Sequence, residues 1–287
     1  MTLATELEWR GKILAKIVLS RLPVPYHAWR RVGIFRHGHM RSGDYVIKVF
    51  EEAAERAGLH DVRGLRLLEL GPGDSLFSAV LARAAGGAGS VHVDVGEFAD
   101  RDLDNYREFA RLLGKQGYEQ LELCATSTLE ELLERCRARY LTRGLESLRA
   151  LPSGSIDFTW SQSTIEHIRT GELMETAREL RRVMSRDATA VHLIDLRDHL
   201  ADGLNHLRVS RRVWESEFMA KSGFYTNRKR FSALCDLFRK AGFRCDVAHV
   251  TRWDALPTPR HTMVAEFRAL PEGELLVRTF AVRLSPA

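Results

Sequence analysis

The sequence predicts a doubly wound α/β fold, in which a mostly parallel sheet of seven strands carries helices on both faces and includes one antiparallel strand. Predicted strands and helices alternate from residue 65 onward, which is typical of parallel strands joined by helical crossovers. A glycine-rich turn follows the first strand, and the last two predicted strands have no helix between them. This final pair predicts the antiparallel strand.

Strands are predicted where short apolar runs lie between turn residues. They cover residues 65–70, 90–95, 139–142, 156–161, 188–196, 243–252 and 261–270. Helices are predicted where apolar side chains recur every three or four positions, at residues 46–57, 77–84, 102–113, 129–136, 172–184 and 231–238. Ser127 and Glu130 form a capping-box signature at the start of the fourth of these helices.

The length and composition predict one large domain with two additions. The chain has 287 residues, of which 45% are hydrophobic, and this is sufficient for a sizeable core. Residues 1–60 are predicted to form an N-terminal helical cap segment, and residues 61–287 the main domain, with a helical insertion at about residues 198–228. A cap over the substrate, a peripheral contact with an anionic membrane and a helix packed on the domain remain open for the N-terminal segment.

Positive charge is concentrated at the start of the chain. Residues 1–41 hold eight Lys and Arg against two acids, and subtracting these from the totals of 43 and 38 leaves 35 basic and 36 acidic residues. The nearly neutral body argues against a nucleic-acid partner. No apolar run reaches the roughly 20 residues of a membrane span, and the first residues lack the pattern of a signal peptide, so we expect a cytoplasmic protein. Four cysteines without a CxxC pair predict free thiols.

The glycine-rich turn, residues 69–75, carries the strongest functional signal. It lies between a predicted strand and a predicted helix, where bare backbone and a helix N-terminus can approach a ligand. A dinucleotide fingerprint requires a third glycine where Leu76 stands. The carboxylate of Glu69 would repel a pyrophosphate but would suit a ligand with an ammonium group.

This turn resembles motif I of class I S-adenosylmethionine-dependent methyltransferases, in which an acid precedes a G-x-G turn and a third glycine often stands where this chain has Ser75. The resemblance implies a Rossmann-like fold and S-adenosylmethionine as cofactor, bound by Glu69, Gly71, Pro72, Gly73, Asp74 and Ser75. Asp94, at the end of the second strand, matches the acid that receives the ribose hydroxyls in that family, and Glu97 is the reserve candidate.

A second match lies in residues 154–168, which are similar to the fourth-strand segment of the family and end in the pair Glu166 and His167. The resemblance places Ser161 and Ser163 at the cofactor. The aspartate that contacts adenine in relatives is missing here, and Ser147 is the candidate substitute. The resemblance covers about residues 61–270 and implies a methyltransferase.

Methyl transfer is an in-line displacement, so the protein mainly has to align donor and acceptor. For a hydroxyl acceptor we expect a general base at the carboxyl ends of strands four and five. His199 is the first candidate, followed by His167, with Asp195 in the same loop and His206 as a further alternative. His167 has a purely structural alternative, in which it hydrogen-bonds backbone and shapes the pocket. Asp195, Asp198 and His199 offer plausible metal ligands but do not complete a site, so no metal is assigned.

The predicted insertion is expected to determine the acceptor, because insertions at this edge of the sheet often do. Its aromatic, amide and cationic side chains suit a sugar or an anionic acceptor, although a helical lid with a solvated face would have a similar composition. The basic leader and the insertion resemble bacterial methyltransferases of polysaccharide or natural-product pathways. We therefore expect transfer to a hydroxyl, or to an amine, of a small molecule or glycan. An NAD-dependent oxidoreductase and a non-catalytic cofactor-binding module that docks through its basic N-terminus remain alternatives, and the oligomeric state remains open.

Overall fold

The computed structural model describes residue 11, residues 40–199 and residues 201–287. Seven strands form one sheet: β1 Arg66–Leu70, β2 Gly89–Val93, β3 Ala138–Leu141, β4 Ile156–Gln162, β5 Met184–Asp195, β6 Phe243–Arg252 and β7 Val277–Pro286. Their order in the sheet is β3-β2-β1-β4-β5-β7-β6. Strands β1 to β5 run parallel, whereas β7 is antiparallel to both of its neighbours. The predicted fold class is confirmed.

Helices cover both faces of the sheet. The longer ones are α1 Gly43–Ala57, α2 Phe77–Ala84, α3 Leu103–Lys115, α4 Leu129–Arg135, α5 Leu145–Arg149, α6 Leu173–Val183 and α9 Phe231–Lys240. Four short helices are α7 Arg211–Trp214, α8 Glu217–Ala220, α10 Ala265–Arg268 and α11 Glu272–Leu275. Single 3₁₀ turns lie at Ile165–His167, Asn205–Arg208 and Arg260–Thr262.

Alternate strand residues point to opposite faces and build two apolar layers. In β1, Leu67 packs with α1 to α4, and Leu68 packs on the other face with α6 and α9. On the first face, the ring of Phe50 meets Trp160 edge to face at a centroid distance of 5.2 Å, an arrangement worth about 0.5–1.5 kcal/mol beyond the buried area. The inner strands are covered on both sides, so polar side chains such as Glu69 and Thr159 are buried there together with the apolar ones.

Two local predictions are wrong. Residues 261–270 do not form the antiparallel strand, because Met263, Phe267 and Leu270 follow helical spacing and pack against Leu204 and Leu207. The strand is instead β7, which lies between β5 and β6.

The cap of α4 also differs from its prediction. Thr128, and not Ser127, is the N-cap residue, and its hydroxyl accepts a hydrogen bond of 3.1 Å from the backbone N–H of Glu131. The carboxylate of Glu131 in turn accepts from the N–H of Ser127. The capping interaction is therefore shifted by one residue.

Most of the predicted N-terminal cap, residues 1–60, lies outside the described residues. Its described helix α1 packs on the sheet through Val46, Phe50 and Ala53 and ends at Gly58, which is in the left-handed conformation with φ 75°. Within the part of the chain that the structure describes, no helix combines the length and apolarity needed to cross a membrane.

The predicted insertion has a small core of its own. Trp214, Met219, Phe224 and Tyr225 are buried against one another. The indole N–H of Trp214 donates a hydrogen bond of 2.7 Å to the carbonyl oxygen of Thr226. The guanidinium of Arg228 lies over the Trp214 ring, 5.5 Å from its centroid, and donates to the carbonyl oxygen of Val209 over 2.6 Å. The insertion is thus a packed unit on the edge of the sheet.

Candidate functional site

The glycine turn after β1 adopts a backbone conformation that favours glycine at two positions. Gly71 has φ 71° and Gly73 has φ 70°. A Cβ atom at Gly71 would also collide with the side chain of Thr164. The N–H of Gly71 donates to the carbonyl oxygen of Val93 over 2.8 Å, which ties the turn to the end of β2. The bare backbone of this turn therefore lies at the carboxyl edge of the sheet.

Asp94 follows β2 and lies directly beside this turn. Its carboxylate accepts a hydrogen bond of 3.2 Å from the N–H of Gly73 and one of 2.7 Å from the N–H of Val95. The Val95 side chain is 78% exposed, which is unusual for a large apolar residue. The reserve candidate, Glu97, is exposed and lies 3.8 Å from Arg101. Of the two acids, Asp94 is the one that the structure brings to the glycine turn.

Glu69 is buried below the turn and faces the α1 and α2 layer. Its carboxylate accepts hydrogen bonds from the Ser78 hydroxyl and from the Trp160 indole N–H at 3.2 Å, and it contacts His92 Nδ1 at 2.8 Å. His92 Nε2 in turn lies 2.9 Å from the Ser90 hydroxyl. These contacts engage both carboxylate oxygens within the core. The direct contact with a ligand ammonium group stays a prediction, and the structure gives Glu69 a clear role in holding β1, β2 and β4 together.

The side chains of the rest of the turn are buried. Pro72, Asp74 and Ser75 point away from solvent, and the Ser75 hydroxyl donates to the carbonyl oxygen of Met40. The carbonyl oxygen of Asp74 accepts from the N–H of Asp100 over 2.9 Å. Contacts with the protein interior thus hold the turn in place. Pro72, Asp74 and Ser75 can therefore offer backbone atoms to a ligand.

The other three serines predicted to bind the cofactor lie in different surroundings. Ser147 is buried, and its hydroxyl accepts the N–H of Arg143 over 3.0 Å within the first turn of α5. Ser161 is buried in β4 at 2.8 Å from His192 Nδ1. Ser163 is half-buried at the carboxyl edge and has φ 50°, a strained conformation for a residue with a side chain. Ser163 is the one whose position fits the predicted pocket.

Thr164 joins the glycine turn to the loop after β4. Its hydroxyl donates to the carbonyl oxygen of Leu70 over 3.0 Å, and its side chain occupies the space beside Gly71. The 3₁₀ turn Ile165–His167 follows immediately. The residues of the predicted donor site and of the predicted acceptor site are therefore neighbours at one edge of the sheet.

Glu166, His167 and His199 form a cluster at the carboxyl ends of β4 and β5. Each residue offers one ligand atom, and these atoms lie within 4.8 Å of one another. The rings of His167 and His199 are stacked, with centroids 4.8 Å apart. His167 Nδ1 lies 2.7 Å from the carbonyl oxygen of Tyr225, so Nδ1 carries the proton and donates it. Two candidates that are 32 positions apart in the sequence thus meet, as the sequence predicted.

Asp195 and His206 are poor candidates for a general base. Both oxygens of Asp195 accept hydrogen bonds from the Arg197 guanidinium, at 2.6 to 3.0 Å. Burial by itself would raise the pKa of Asp195, but the hydrogen bonds and charge of Arg197 outweigh it and hold the pKa below its usual range. Burial, together with Arg230 and Arg228, holds the pKa of His206 well below its usual range. Neither group combines access to an acceptor with useful basicity.

Glu166 is a residue of the site for which the sequence predicted no role. It is fully buried; Oε1 accepts the N–H of Asp195 over 3.1 Å, and Oε2 has no hydrogen-bond partner among the described residues. Burial raises the pKa of Glu166 well above its usual range, and the Asp195 charge adds to this effect. The E-H pair at the end of the fourth-strand segment is the sequence feature that could have identified Glu166 as a site residue.

The insertion was expected to present polar side chains to an acceptor, and for its central residues this is wrong. Trp214, Tyr225, Asn227 and Arg228 are all buried. The Asn227 amide donates to the carbonyl oxygens of Ile165 and Ile168, at 2.8 and 3.1 Å. These side chains hold the insertion against the sheet edge, because each buried polar group has to find a partner inside the protein.

A separate groove of about 810 Å³ lies at the opposite edge of the sheet. It is lined by the end of α1 and by residues 58–63, 84–86 and 117–119. These segments precede β1 or lie at the ends of α2 and α3, so the groove does not belong to the candidate site.

Comparisons with known proteins give a likeness of structure only. No protein-family model matches the chain, and no curated protein matches it. Among solved structures, an S-adenosylmethionine-dependent methyltransferase from Mesorhizobium loti is 17% identical, with a TM-score of 0.45 over 80% of this chain and 95% of its own. A methyltransferase from Archaeoglobus fulgidus is 14% identical, with a TM-score of 0.44 over 80% of this chain and 90% of its own.

Phosphoethanolamine N-methyltransferase 2 from Haemonchus contortus, in complex with phosphomonomethylethanolamine and S-adenosylhomocysteine, is 13% identical, with a TM-score of 0.47. That match covers 88% of this chain and 55% of the other. The fold assignment rests on the strand order of this chain itself, and similarities this low add no argument about its reaction.

Proposed function

We propose that this chain is an S-adenosylmethionine-dependent methyltransferase that transfers a methyl group to a hydroxyl, or to an amine, of a small molecule or glycan. The observation that carries the proposal is the arrangement of Gly71, Gly73 and Asp94. Two glycines in the left-handed conformation leave the backbone bare, and the Asp94 carboxylate is held beside them by the Gly73 N–H. This pairing of bare backbone with a carboxylate suits a ligand that carries a ribose.

The same arrangement disfavours a dinucleotide. Leu76, which stands at the third glycine position, is fully buried at the start of α2. The helix N-terminus therefore lacks the third glycine of the fingerprint that binds a pyrophosphate. A sulfonium nucleoside needs no such anion site.

His167 and His199 supply the acceptor side of the proposed site. Thr164 sets the distance between them and the glycine turn, because it contacts Leu70 and Gly71 at one end and leads into the 3₁₀ turn at the other. When bound, the cofactor supplies an electrophilic methyl carbon, whose bond to sulfur breaks as the bond to the acceptor forms. On this proposal the two imidazoles border the acceptor and assist the loss of its proton.

The test is a calorimetric titration of the protein with S-adenosylmethionine, S-adenosylhomocysteine and NAD in parallel. We expect micromolar binding of the two sulfur ligands and no binding of NAD. Binding of NAD alone would overturn the proposal. Binding of the sulfur ligands, followed by no methyl transfer to any hydroxyl or amine acceptor in a broad small-molecule and glycan panel, would favour the non-catalytic module.

A further inference from the structure

We propose that Glu166, His167 and His199 bind a divalent transition-metal ion at the acceptor side of the site. Two imidazoles and one carboxylate provide three ligand atoms within 4.8 Å of one another. Imidazole nitrogen favours ions such as Mn²⁺, Fe²⁺, Co²⁺ and Zn²⁺ over Mg²⁺ or Ca²⁺, which prefer all-oxygen sites. The chemistry of the ligands therefore indicates the class of ion.

The unpartnered oxygen of Glu166 is independent evidence for a ligand. Oε2 is fully buried and has no hydrogen-bond partner among the described residues, whereas Oε1 is held by the N–H of Asp195. A buried carboxylate oxygen without a partner is strongly destabilising, and such groups are rare in folded proteins. A cation bound by Glu166 through this oxygen would satisfy it.

The orientation of His167 is the one that metal-binding histidines adopt. Its Nδ1 donates to the carbonyl oxygen of Tyr225 over 2.7 Å, which leaves the lone pair on Nε2. Metal-ligating histidines usually donate their other ring N–H to a carbonyl or carboxylate, which fixes both tautomer and ring orientation. Tyr225 belongs to the insertion, so the insertion contributes to the proposed site by orienting a ligand.

The positive charge of Arg197, at the carboxyl edge of the sheet, is paired with acidic side chains. The Arg197 guanidinium, which would repel a cation, is paired with Asp195 at 2.6 Å and also with Asp202. Two ligands on an ion with bonds of about 2.1 Å lie roughly 3.0–3.5 Å apart, so ligands now up to 4.8 Å apart would move closer on binding. His199 lies in the loop after β5, outside the regular part of the sheet.

The metal would assist the proposed methyl transfer, and this part of the inference rests on that proposed function. An acceptor hydroxyl bound to the ion would release its proton to water more readily, because the ion stabilises the alkoxide. The alkoxide oxygen would then attack the methyl carbon while the carbon–sulfur bond breaks and its electron pair stays on sulfur. His167 and His199 would act as ligands, and the acceptor would bind through oxygen.

The experiment is a titration of the metal-stripped, untagged protein with Co²⁺, followed by visible ligand-field absorption and by competition with Zn²⁺. We expect one Co²⁺ per chain at this site. His167→Ala and His199→Ala should weaken its binding by more than about 10-fold, and Glu166→Gln should do the same while keeping the shape of the buried side chain. His249→Ala, which removes an exposed imidazole on β6, is the matched control and should bind as the wild type does.

His37 and His39 also offer an imidazole pair in the sequence, so each variant is compared in a His37→Ala, His39→Ala background as well. Circular dichroism checks that each variant is folded. No Co²⁺ binding in this background, or unchanged affinity in any of the three ligand variants, would overturn the assignment.

S-adenosylmethionine binding is measured on the same samples. Cofactor binding without metal binding would refute the metal site alone, and metal binding without cofactor binding would refute the proposed function alone.

Discussion

The backbone N–H of Asn227 donates a hydrogen bond of 2.7 Å to the carbonyl oxygen of Glu166. The Asn227 amide adds two hydrogen bonds, to the carbonyl oxygens of Ile165 and Ile168 on either side. One residue of the insertion thus holds all of the short turn that carries Glu166 and His167. Together with the hydrogen bond from His167 to the Tyr225 carbonyl oxygen, these contacts couple the insertion to the candidate site.

Replacing Asn227 with alanine should destabilise the protein and loosen this turn. The Ile168 carbonyl oxygen would lose its donor, which costs about 1–3 kcal/mol of the free energy of unfolding, whereas the Ile165 carbonyl oxygen keeps a hydrogen bond of 3.3 Å from the Ile168 N–H. Urea unfolding measures the effect. Lys221→Ala, at an exposed position of the same insertion, is the control and should change the free energy of unfolding by less than about 0.5 kcal/mol. Equal stability of the two variants would contradict the inference that Asn227 holds the turn Ile165–His167 in place.

Asp94→Ala should weaken binding of S-adenosylmethionine by about 10- to 100-fold, because hydrogen bonds to a charged group contribute about 1.5–3 kcal/mol. The substitution also removes the acceptor for the Gly73 N–H. Isothermal titration calorimetry provides the measurement. Glu97→Ala is the matched control, since that acid is exposed and lies three residues further on, and it should leave the affinity unchanged. The opposite pattern would move the ribose contact to Glu97.

Gly71→Ala should abolish cofactor binding and lower stability more than Gly58→Ala does. Both glycines have a similar positive φ, 71° and 75°, so both substitutions carry a backbone strain of about 1–2 kcal/mol. A Cβ atom at Gly58 meets open space, whereas one at Gly71 collides with Thr164. Thermal unfolding and calorimetry of the two variants separate the strain from the collision. Similar behaviour of both would show that the turn tolerates a side chain.

His192 should make the protein less stable in acid. Burial lowers its pKa to about 3, so the imidazole is neutral in the folded state, whereas in the unfolded chain it takes up a proton below about pH 6.5. The unfolded state then binds more protons, so the free energy of unfolding decreases as pH falls from about 6.5 towards 3, by up to about 1.4 kcal/mol per pH unit.

The variant His192→Asn should show a shallower decrease over this window, measured by urea unfolding between pH 7 and pH 5. Part of the slope should remain, because burial also holds the pKa of His206 far below its usual range. His249→Gln, an exposed residue, serves as the control and should keep the wild-type slope. A wild-type slope in His192→Asn would show that His192 is not the group responsible.

The sequence predicts the glycine turn and the inner strands well, because both depend on local constraints. Gly71 and Gly73 stand where the backbone needs positive φ, and β1 and β4 each contribute apolar side chains to the layers on both faces of the sheet. The meeting of His167 with His199 follows from the rule that carboxyl ends of parallel strands share one edge.

The predictions are wrong where tertiary packing, and not the local sequence, determines the structure. Residues 261–270 are apolar enough for a strand, but their side chains cover Leu204 and Leu207 as short helical turns. Arg228 and Asn227 have the composition of a binding surface, yet their partners are backbone carbonyl oxygens that no sequence pattern reveals. Glu166 is buried, and one of its oxygens has no hydrogen-bond partner among the residues that the structure describes, which only the three-dimensional arrangement reveals.

The place of β7 in the sheet has a consequence for how the chain is made. Residues 243–252 are synthesised before residues 277–286, yet β6 reaches β5 only through β7, which pairs with both. Until β7 leaves the ribosome, a nascent chain therefore holds β5 with an unpaired edge and β6 without a sheet to join. Unpaired strand edges promote association with other chains. Completion of this half of the sheet must therefore follow the synthesis of β7.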